Sequence, residues 1–456
     1  MKGEDEISTL RRKAGIHLSD HFTYRHLLRF TLPSVGMMLF TSVYSVVDGF
    51  FVANFVGKTS FAAITLIFPL LGLLGAVGFM LGAGGSAIVG RLLGEGKNVE
   101  ARQAFSLFVY ATALLGVLLT LVGQFFLQPV AEFLGAQGQT LQMCLLYGRI
   151  SLLSLTAFVL QFFFQFLFVT AEKPKLGLAI TVAAGSTNML LDALLVGVLD
   201  FGLAGAALAT VVSECLGGLL PLVYFARPNT SLLALGRAAN TFSLLGRACT
   251  NGSSEFLINI NYPLLIGVYN LQLLRLAGEN GVASFGVLLY VSFVFSALFL
   301  GYALGSAPLI SYHFGARNTK ELRNIFVKSL LINATCGVIL TAIALFCAKP
   351  LALLFTGYDA ELTCVTTRAL RLYAPVFLFF CGNIYGSSFF TALNNGGISA
   401  VISCLRTLVF GFAALLILPC VFAIDGVWLS FSVAEAATLG VTIFLIALKR
   451  KNYRYL

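Results

Sequence analysis

Apolar and polar positions alternate along this chain on a scale of tens of residues. Twelve long apolar stretches are separated by short polar ones. They run over 27–52, 60–85, 103–127, 142–168, 175–199 and 202–225, then over 247–270, 281–306, 325–347, 366–390, 397–421 and 424–447. A helix needs about 20 residues to cross a hydrocarbon layer about 30 Å thick, and a helix satisfies its own backbone hydrogen bonds there. The pattern predicts an all-α polytopic membrane protein with twelve spanning helices, spans 1 to 12 in chain order.

The last six spans repeat the first six. A shift of 221 residues carries Asp48–Phe105 onto Tyr269–Phe326, with Gly57 on Gly278, Gly94 on Gly315, Arg102 on Arg323 and Phe105 on Phe326. The same shift takes Pro129 to Pro350, Thr170 to Thr391, Gly205 to Gly426 and Glu214 to Glu435. One offset over that length means two halves of one design. A six-span unit starts and ends on one side, so the halves share a topology and are related by a pseudo-twofold along the membrane normal. The expected layout is an N-terminal segment 1–26, a first six-helix bundle 27–227, a linker 228–246, a second bundle 247–447 and a tail 448–456. Two bundles around a cleft have the geometry of alternating access, and no potassium-filter sequence suggests a channel.

Composition agrees. Hydrophobic residues make up 58% of the 456 and charged ones 11%, against about 25% in a soluble domain. The net charge of +10 comes from basic residues scattered between apolar runs, which reads as orientation signal and not as a nucleic-acid surface. With the N-terminus in the cytoplasm, inner segments carry 22 Lys and Arg against 3 in outer loops (Lys58, Arg275, Lys349). Both termini are then expected inside, in the cytoplasmic membrane. The first 20 residues lack a compact apolar region and predict no cleavable signal peptide. The nine cysteines show no CxxC spacing, and the histidines His17, His21, His26 and His313 sit at no metal-ligand spacing with acids or thiols, so no metal centre and no catalytic set are expected. His17, His21 and His26 do share one segment, the single weak exception.

Glycine clusters in span 2, at Gly72, Gly75, Gly78, Gly82, Gly84 and Gly85, which suits close helix packing. Pro33, Pro69, Pro263, Pro308 and Pro375 fall in or near spans, where kinks are expected. GRLLG (90–94) and SYHFG (311–315) read as hinge turns at the inner ends of spans 2 and 8.

Charge inside hydrocarbon costs about 2.5–3.5 kcal/mol on insertion scales, so each buried charge needs a reason. Asp48 and Asp192, near the outer ends of spans 1 and 5, share a depth in the first bundle. Asn188 is one turn before Asp192, and Asn54 closes span 1. These oxygens suit a proton or sodium site, or a hydrogen-bonded packing role. Their repeat mates, Tyr269, Ala413 and Val409, carry no charge. Glu255, in the inner part of span 7, is placed to line the cleft and meet a cationic substrate. Glu214 and Glu435 are repeat mates, and that symmetry favours bonding to a neighbouring helix. Arg149, Arg371 and Arg406 lie deep in spans 4, 10 and 11, lining the cleft or pairing with acids. Gln161 and Gln165 share a face of the aromatic span 4, which suits a flat amphipathic ligand or a helix–helix contact.

The sequence resembles the multidrug and toxic compound extrusion (MATE) transporters, notably the bacterial MepA-like and DinF-like group, along nearly its whole length. The resemblance rests on VDGFFVANFVG (47–57), GAGGSAIVGRLLGEGKNVEA (82–101), TAEKPKLG (170–177), NMLLD (188–192), FGLAGAALATVVSE (201–214) and, in the second half, GSAPLISYHFGARNTKELR (305–323) and AIDGVWLSFSVAE (423–435). It implies a secondary exporter of lipophilic cations driven by proton or sodium entry, with no cofactor, acting as a monomer. It also implies coupling roles for Asp48 and Asp192 and a cavity role for Glu255. Arg149 and Arg406 depart from that pattern. The competing reading is a lipid-precursor flippase of the same wider superfamily, which a basic cavity would favour.

Overall fold

The computed structural model describes residues 16–453 and 455, without the side chains of Ala53, Asn54, Lys58 and Phe61. Every regular element among them is helical. Span 1 is Tyr24–Phe51, span 2 Lys58–Gly94, span 3 Asn98–Phe133, span 5 Pro174–Leu191 continued by a π-helical turn, and span 6 Gly202–Ala226. Span 4 is broken, Gly138–Leu153 and Leu155–Thr170 meeting at 55°. In the second half a continuous helical path Ser253–Gly315 breaks its backbone at Gly278 (φ 61°) into spans 7 and 8. Span 9 is Thr319–Phe346, and span 10 is again broken, Ala360–Tyr373 and Val376–Ala392 at 47°. Spans 11 and 12 run from Gly396 to Tyr453 with their break at Ala423 (φ 49°). The twelve spans form two six-helix bundles related by the pseudo-twofold.

The breaks in spans 4 and 10 fall on repeat mates, Ser154 and Pro375, with different causes. Proline removes a helical donor. Ser154 instead turns its hydroxyl to Ser151 O (2.9 Å) and Glu214 Oε2 (2.6 Å). The linker is mostly irregular and lies along the start of span 3: Arg102 Nε donates to Leu232 O, Tyr110 to Gly236 O and Ala239 N to Gln103 O. A short helix, Ser243–Asn251, leads from it into span 7.

The buried apolar residues show how the bundles sit. One core is shared by both and gathers Leu93, Phe105 and Phe168 with Leu309, Phe326 and Phe389, all near the ends of spans that meet the termini and basic loops, called the basic face. Toward the opposite face the core divides. Ala63, Leu127 and Leu203 belong to the first bundle, Leu273, Leu340 and Trp428 to the second. The molecule is therefore a V, joined at the basic face and open at the other.

The join is made by missing side chains. A Cβ on Gly94 would lie 2.0 Å from Tyr312 O, one on Gly315 2.1 Å from Arg91 O, one on Gly84 2.0 Å from Ala248 O, and one on Gly252 1.9 Å from Met80 O. Gly301 and Gly305 meet Val35 and Thr31 of span 1 in the same way. GRLLG and SYHFG, expected as hinge turns, are instead continuous helix to Gly94 and Gly315. Their glycines let spans 2 and 8 cross backbone against backbone, which needs straight helices. In the open half, Gly72 and Gly286 would meet nothing within 4 Å.

Gly94→Ala should therefore destabilise the fold by about 1–3 kcal/mol, the cost of overpacking, and lower the thermal midpoint in detergent by several degrees. Gly286→Ala, on an open helix surface, should leave it unchanged or raise it slightly through helix propensity. Equal midpoints for the two variants would contradict the packed seam.

Candidate functional site

The two bundles treat buried charge in opposite ways. In the second, Glu435 of span 12 accepts from Arg406 Nε (2.5 Å) and Asn383 Nδ2 (2.7 Å). The guanidinium lies 4.2 Å from the Phe380 ring centroid, a cation–π distance. Asn383 Oδ1 accepts from Thr442 (2.9 Å). Around this network Tyr269 stacks on Phe431 (4.1 Å) and bonds Ser430 (2.6 Å). A cavity of about 20 Å³ between Tyr262, Tyr269, Phe431 and the ion pair has room for about one water. Here Arg406 and Glu435 each face an opposite charge, and the remaining guanidinium face is covered by the Phe380 ring.

In the first bundle no cation balances the acids among the described residues. Asp192 is fully buried, and neither of its carboxyl oxygens has a hydrogen-bond partner among the described residues. Asp48, half-buried on span 1, is within electrostatic reach of it. Glu214 of span 6, bonded to Ser154, also feels Asp48. Asn188 lies one turn before Asp192, 2% exposed, with its side-chain oxygen unpartnered. Tyr44 and Tyr147 complete the surround, the first touching Gln161 and the second Ser151 and Thr210. Buried polar groups are almost always satisfied; here, among the described residues, the one group facing the enclosed Asp192 carboxyl closely is another acid, Asp48, an arrangement that a proton or another positive ion between them would relieve.

π-helical turns adjoin these charges. Val52–Val56 follows Asp48 by one turn, Asp192–Val198 begins on the second aspartate, and Leu405–Gly411 carries Arg406. Such widened turns are often found at functional sites, and nothing in the apolar pattern announces them.

The structure redistributes several expected residues. Asp48, Asp192 and Asn188 come together. The side chain of Asn54 lies outside the described residues. Gln161 and Gln165 are both buried; Gln161 packs within the first bundle against Gly217 of span 6, and the Gln165 amide has no hydrogen-bond partner among the described residues. Arg149, expected in a substrate cavity, is exposed. It follows Tyr147 by two residues, about 200° round the helix, and so points away from the carboxylates beside span 3, where Gln124 bonds its carbonyl (2.8 Å). Arg371 likewise faces out, two residues before the buried Tyr373. Glu255 is half-buried one turn beyond the seam glycine Gly252, with Arg406 its nearest electrostatic partner. Repeat symmetry suggested one structural role for Glu214 and Glu435. Both do bond neighbouring helices, but Glu214 also belongs to the unbalanced cluster, with Tyr44 and Tyr147, which the sequence reading passed over.

Comparison with known proteins places this arrangement. The MatE family model matches residues 33–194 and 256–417, once per bundle. Multidrug export protein MepA of Staphylococcus haemolyticus is 26% identical over 436 residues, covering 93% of each chain. MepA of Staphylococcus aureus is 25% identical over 431 residues and 94% of each. A crystal structure of MATE in complex with MaL6 superimposes with a TM-score of 0.91 at 20% identity, over 96% of this chain and 98% of that one. An outward-facing multidrug resistance MATE family transporter of the MOP superfamily gives 0.89 at 20% identity, over 94% and 96%. At that identity the structures speak for the fold. The family model covers well over half of the sequence, and the chain belongs to the MatE family.

Proposed function

We propose that this protein is an antiporter that exports lipophilic, cationic compounds by alternating access, with ion entry at the first bundle supplying the free energy. The carrying observation is the contrast between bundles: Arg406 and Glu435 balance each other, whereas Asp48, Asp192 and Glu214 cluster with no cation among the described residues. Such a cluster can take a positive ion and is costly without one. Its relatives' naming as multidrug export proteins supports the same reading.

Proton is the favoured ion, because Asp48 and Asp192 are the two acids that approach each other directly; sodium is the second ion these oxygens suit. The basic face is placed in the cytoplasm by the positive-inside rule, in a cytoplasmic membrane, with both termini inside. The V is then an outward-facing state, its cleft open to the exterior. Each chain contains its own cleft and cluster, so the monomer is the working unit, and a gradient as driving force calls for no bound cofactor. Glu255, at the floor of the cleft, is the acid placed to meet a cationic cargo. A flippase for an anionic lipid headgroup would want free arginines in the cleft. Arg149 and Arg371 face outward and Arg406 is neutralised, which favours the exporter.

In sealed vesicles with an organic-cation dye, an imposed proton or sodium gradient should drive uptake against the dye gradient, and the effective ion identifies the coupling. Asp48→Asn should abolish this while leaving a folded, dye-binding protein. Asp192→Asn should abolish or strongly weaken it. Gradient-insensitive flux in the unmodified protein, or full coupling in Asp48→Asn, would sink the assignment.

The second bundle gives a stability prediction. Arg406→Met strands a buried carboxylate and should cost about 3–5 kcal/mol, while adding Glu435→Leu should recover most of it. Chemical unfolding of the three proteins measures this. No recovery in the double variant would show that the pair holds the fold through more than mutual charge.

A further inference from the structure

The segment before span 1 is not a loose tail over Ile16–Phe22. Leu18 and Phe22 are fully buried in the shared core. Asp20 staples the intervening turn by accepting from His17 N (2.8 Å). Two carboxylates hold the segment in the same way. Glu172 accepts from His17 Nδ1 (2.7 Å) through one oxygen and from Leu18 N (2.7 Å) through the other. Glu321 accepts from His21 Nδ1 (2.6 Å) and from Phe22 N (2.8 Å). Lys328 Nζ and Asn324 Nδ2 donate to Phe22 O at 2.7 and 3.0 Å.

The two anchors belong to different bundles. Glu172 follows span 4 in the first, while Glu321, Asn324 and Lys328 open span 9 in the second. The chain then returns to the first bundle as span 1, so the second bundle's grip on residues 21–22 is flanked on both sides by attachments to the first. Phe22 also lies edge-on to the buried His313 ring of span 8 (6.4 Å), next to Tyr312 at the Gly94 crossing. Glu172 stands at the C-terminal turn of span 4. Its φ is 59°, a conformation costly for a side chain with a Cβ. After the matching span 10, Asn394 takes that conformation (φ 58°), as helix C-termini favour. The Glu172 N–H closes the helix on Val169 O (3.0 Å), which leaves the carboxylate free to turn toward the segment.

We infer that Ile16–Phe22 is an inter-bundle clasp, with Glu172 and Glu321 as positioning residues that hold the basic face closed and must lose one anchor when the bundles part there. The four residue steps from His17 to His21 span at most ~14 Å when fully extended. Separation beyond that pulls one carboxylate off its histidine and backbone partners. Four hydrogen bonds, all involving carboxylates, make the closed arrangement costly to leave, and rebinding of the same segment favours its recovery.

Hydrogen–deuterium exchange of the full chain in lipid nanodiscs tests this on peptides covering the seam, 84–94 and 305–315. Glu321→Gln, which replaces a double acceptor by a single one, should raise seam exchange roughly tenfold and leave peptides of the open end, near 48–60, unchanged. His21→Ala should do the same to a smaller extent. His21→Asn, which keeps a donor near the Nδ1 position, should restore protection. Unmodified protection in both Glu321→Gln and His21→Ala overturns the clasp, and so does an increase spread evenly over both ends. The readout needs no cargo and no gradient, so failure of the exporter reading would appear separately.

Discussion

Everything in this molecule hangs on a crossing that has no side chains in it. Where spans 2 and 8 meet, and again where span 2 meets the start of span 7, glycines on both partners bring backbone against backbone at distances a methyl group would forbid. In hydrocarbon there is no hydrophobic force to draw one apolar helix to another, so close packing of small residues is a principal source of association. Concentrating that packing at one face has a consequence for the rest. Two rigid bundles fixed at one face and unsupported at the other leave a cleft, and the same contacts made at the other face would leave the inverse cleft. Sub-ångström tolerance at the seam makes the choice between these arrangements discrete.

The halves are copies in backbone and unequal in chemistry. Span 4 and span 10 break at matching residues, one through proline and one through a serine that bonds Glu214. Glu214 and Glu435 occupy matching places, yet only Glu435 has an arginine. Where the first bundle has Asp48, the second has Tyr269 stacked between Phe285 and Phe431. The second bundle thus carries its own counter-charge and an aromatic core, and the first leaves a negative cluster without one among the described residues. Duplication supplied the symmetric scaffold that alternating access requires, and divergence left the unbalanced acids in one copy.

The fold was legible because its signals are long. Twelve apolar runs, a single offset and a bias of basic residues extend over hundreds of positions, and errors at helix ends do not disturb them. Helix ends themselves were read too short at the basic face: GRLLG and SYHFG carry polar residues, so they look like the close of a span, but their glycines serve a crossing that no local pattern reveals. The pairing of Asp48 with Asp192 was legible because both lie at one depth on outward-running spans. Rotation about the helix axis was not, and Arg149 shows why. Its depth is the same whichever way it points, and only the packed position of Tyr147 fixes that it faces away. Arg406 with Glu435, and His17 with Glu172, are contacts between distant segments, for which one sequence carries no distance information.

Span 1 joins these parts into one mechanical element. Its leading segment is held by both bundles at His17–Glu172 and His21–Glu321. Thr31 and Val35 take the close approach of Gly305 and Gly301 from span 8, with Pro33 between them. Tyr44 and Asp48 reach the carboxylate cluster, and the helix ends in a widened turn. A single helix therefore runs from the closed seam to the carboxylate cluster, the two lying about three turns apart. Spatial continuity alone is not coupling. Coupling arises if the cluster binds its ion with different affinity in the two arrangements of the seam, and the ion then biases the seam by that difference and no more. Span 1 is also packed along span 5, where Gly185 meets Tyr44 and Phe40 and Gly36 meets Leu178, so such a difference requires span 1 to shift against span 5 when its seam contacts release span 8, and that shift is what would move Asp48 relative to Asp192.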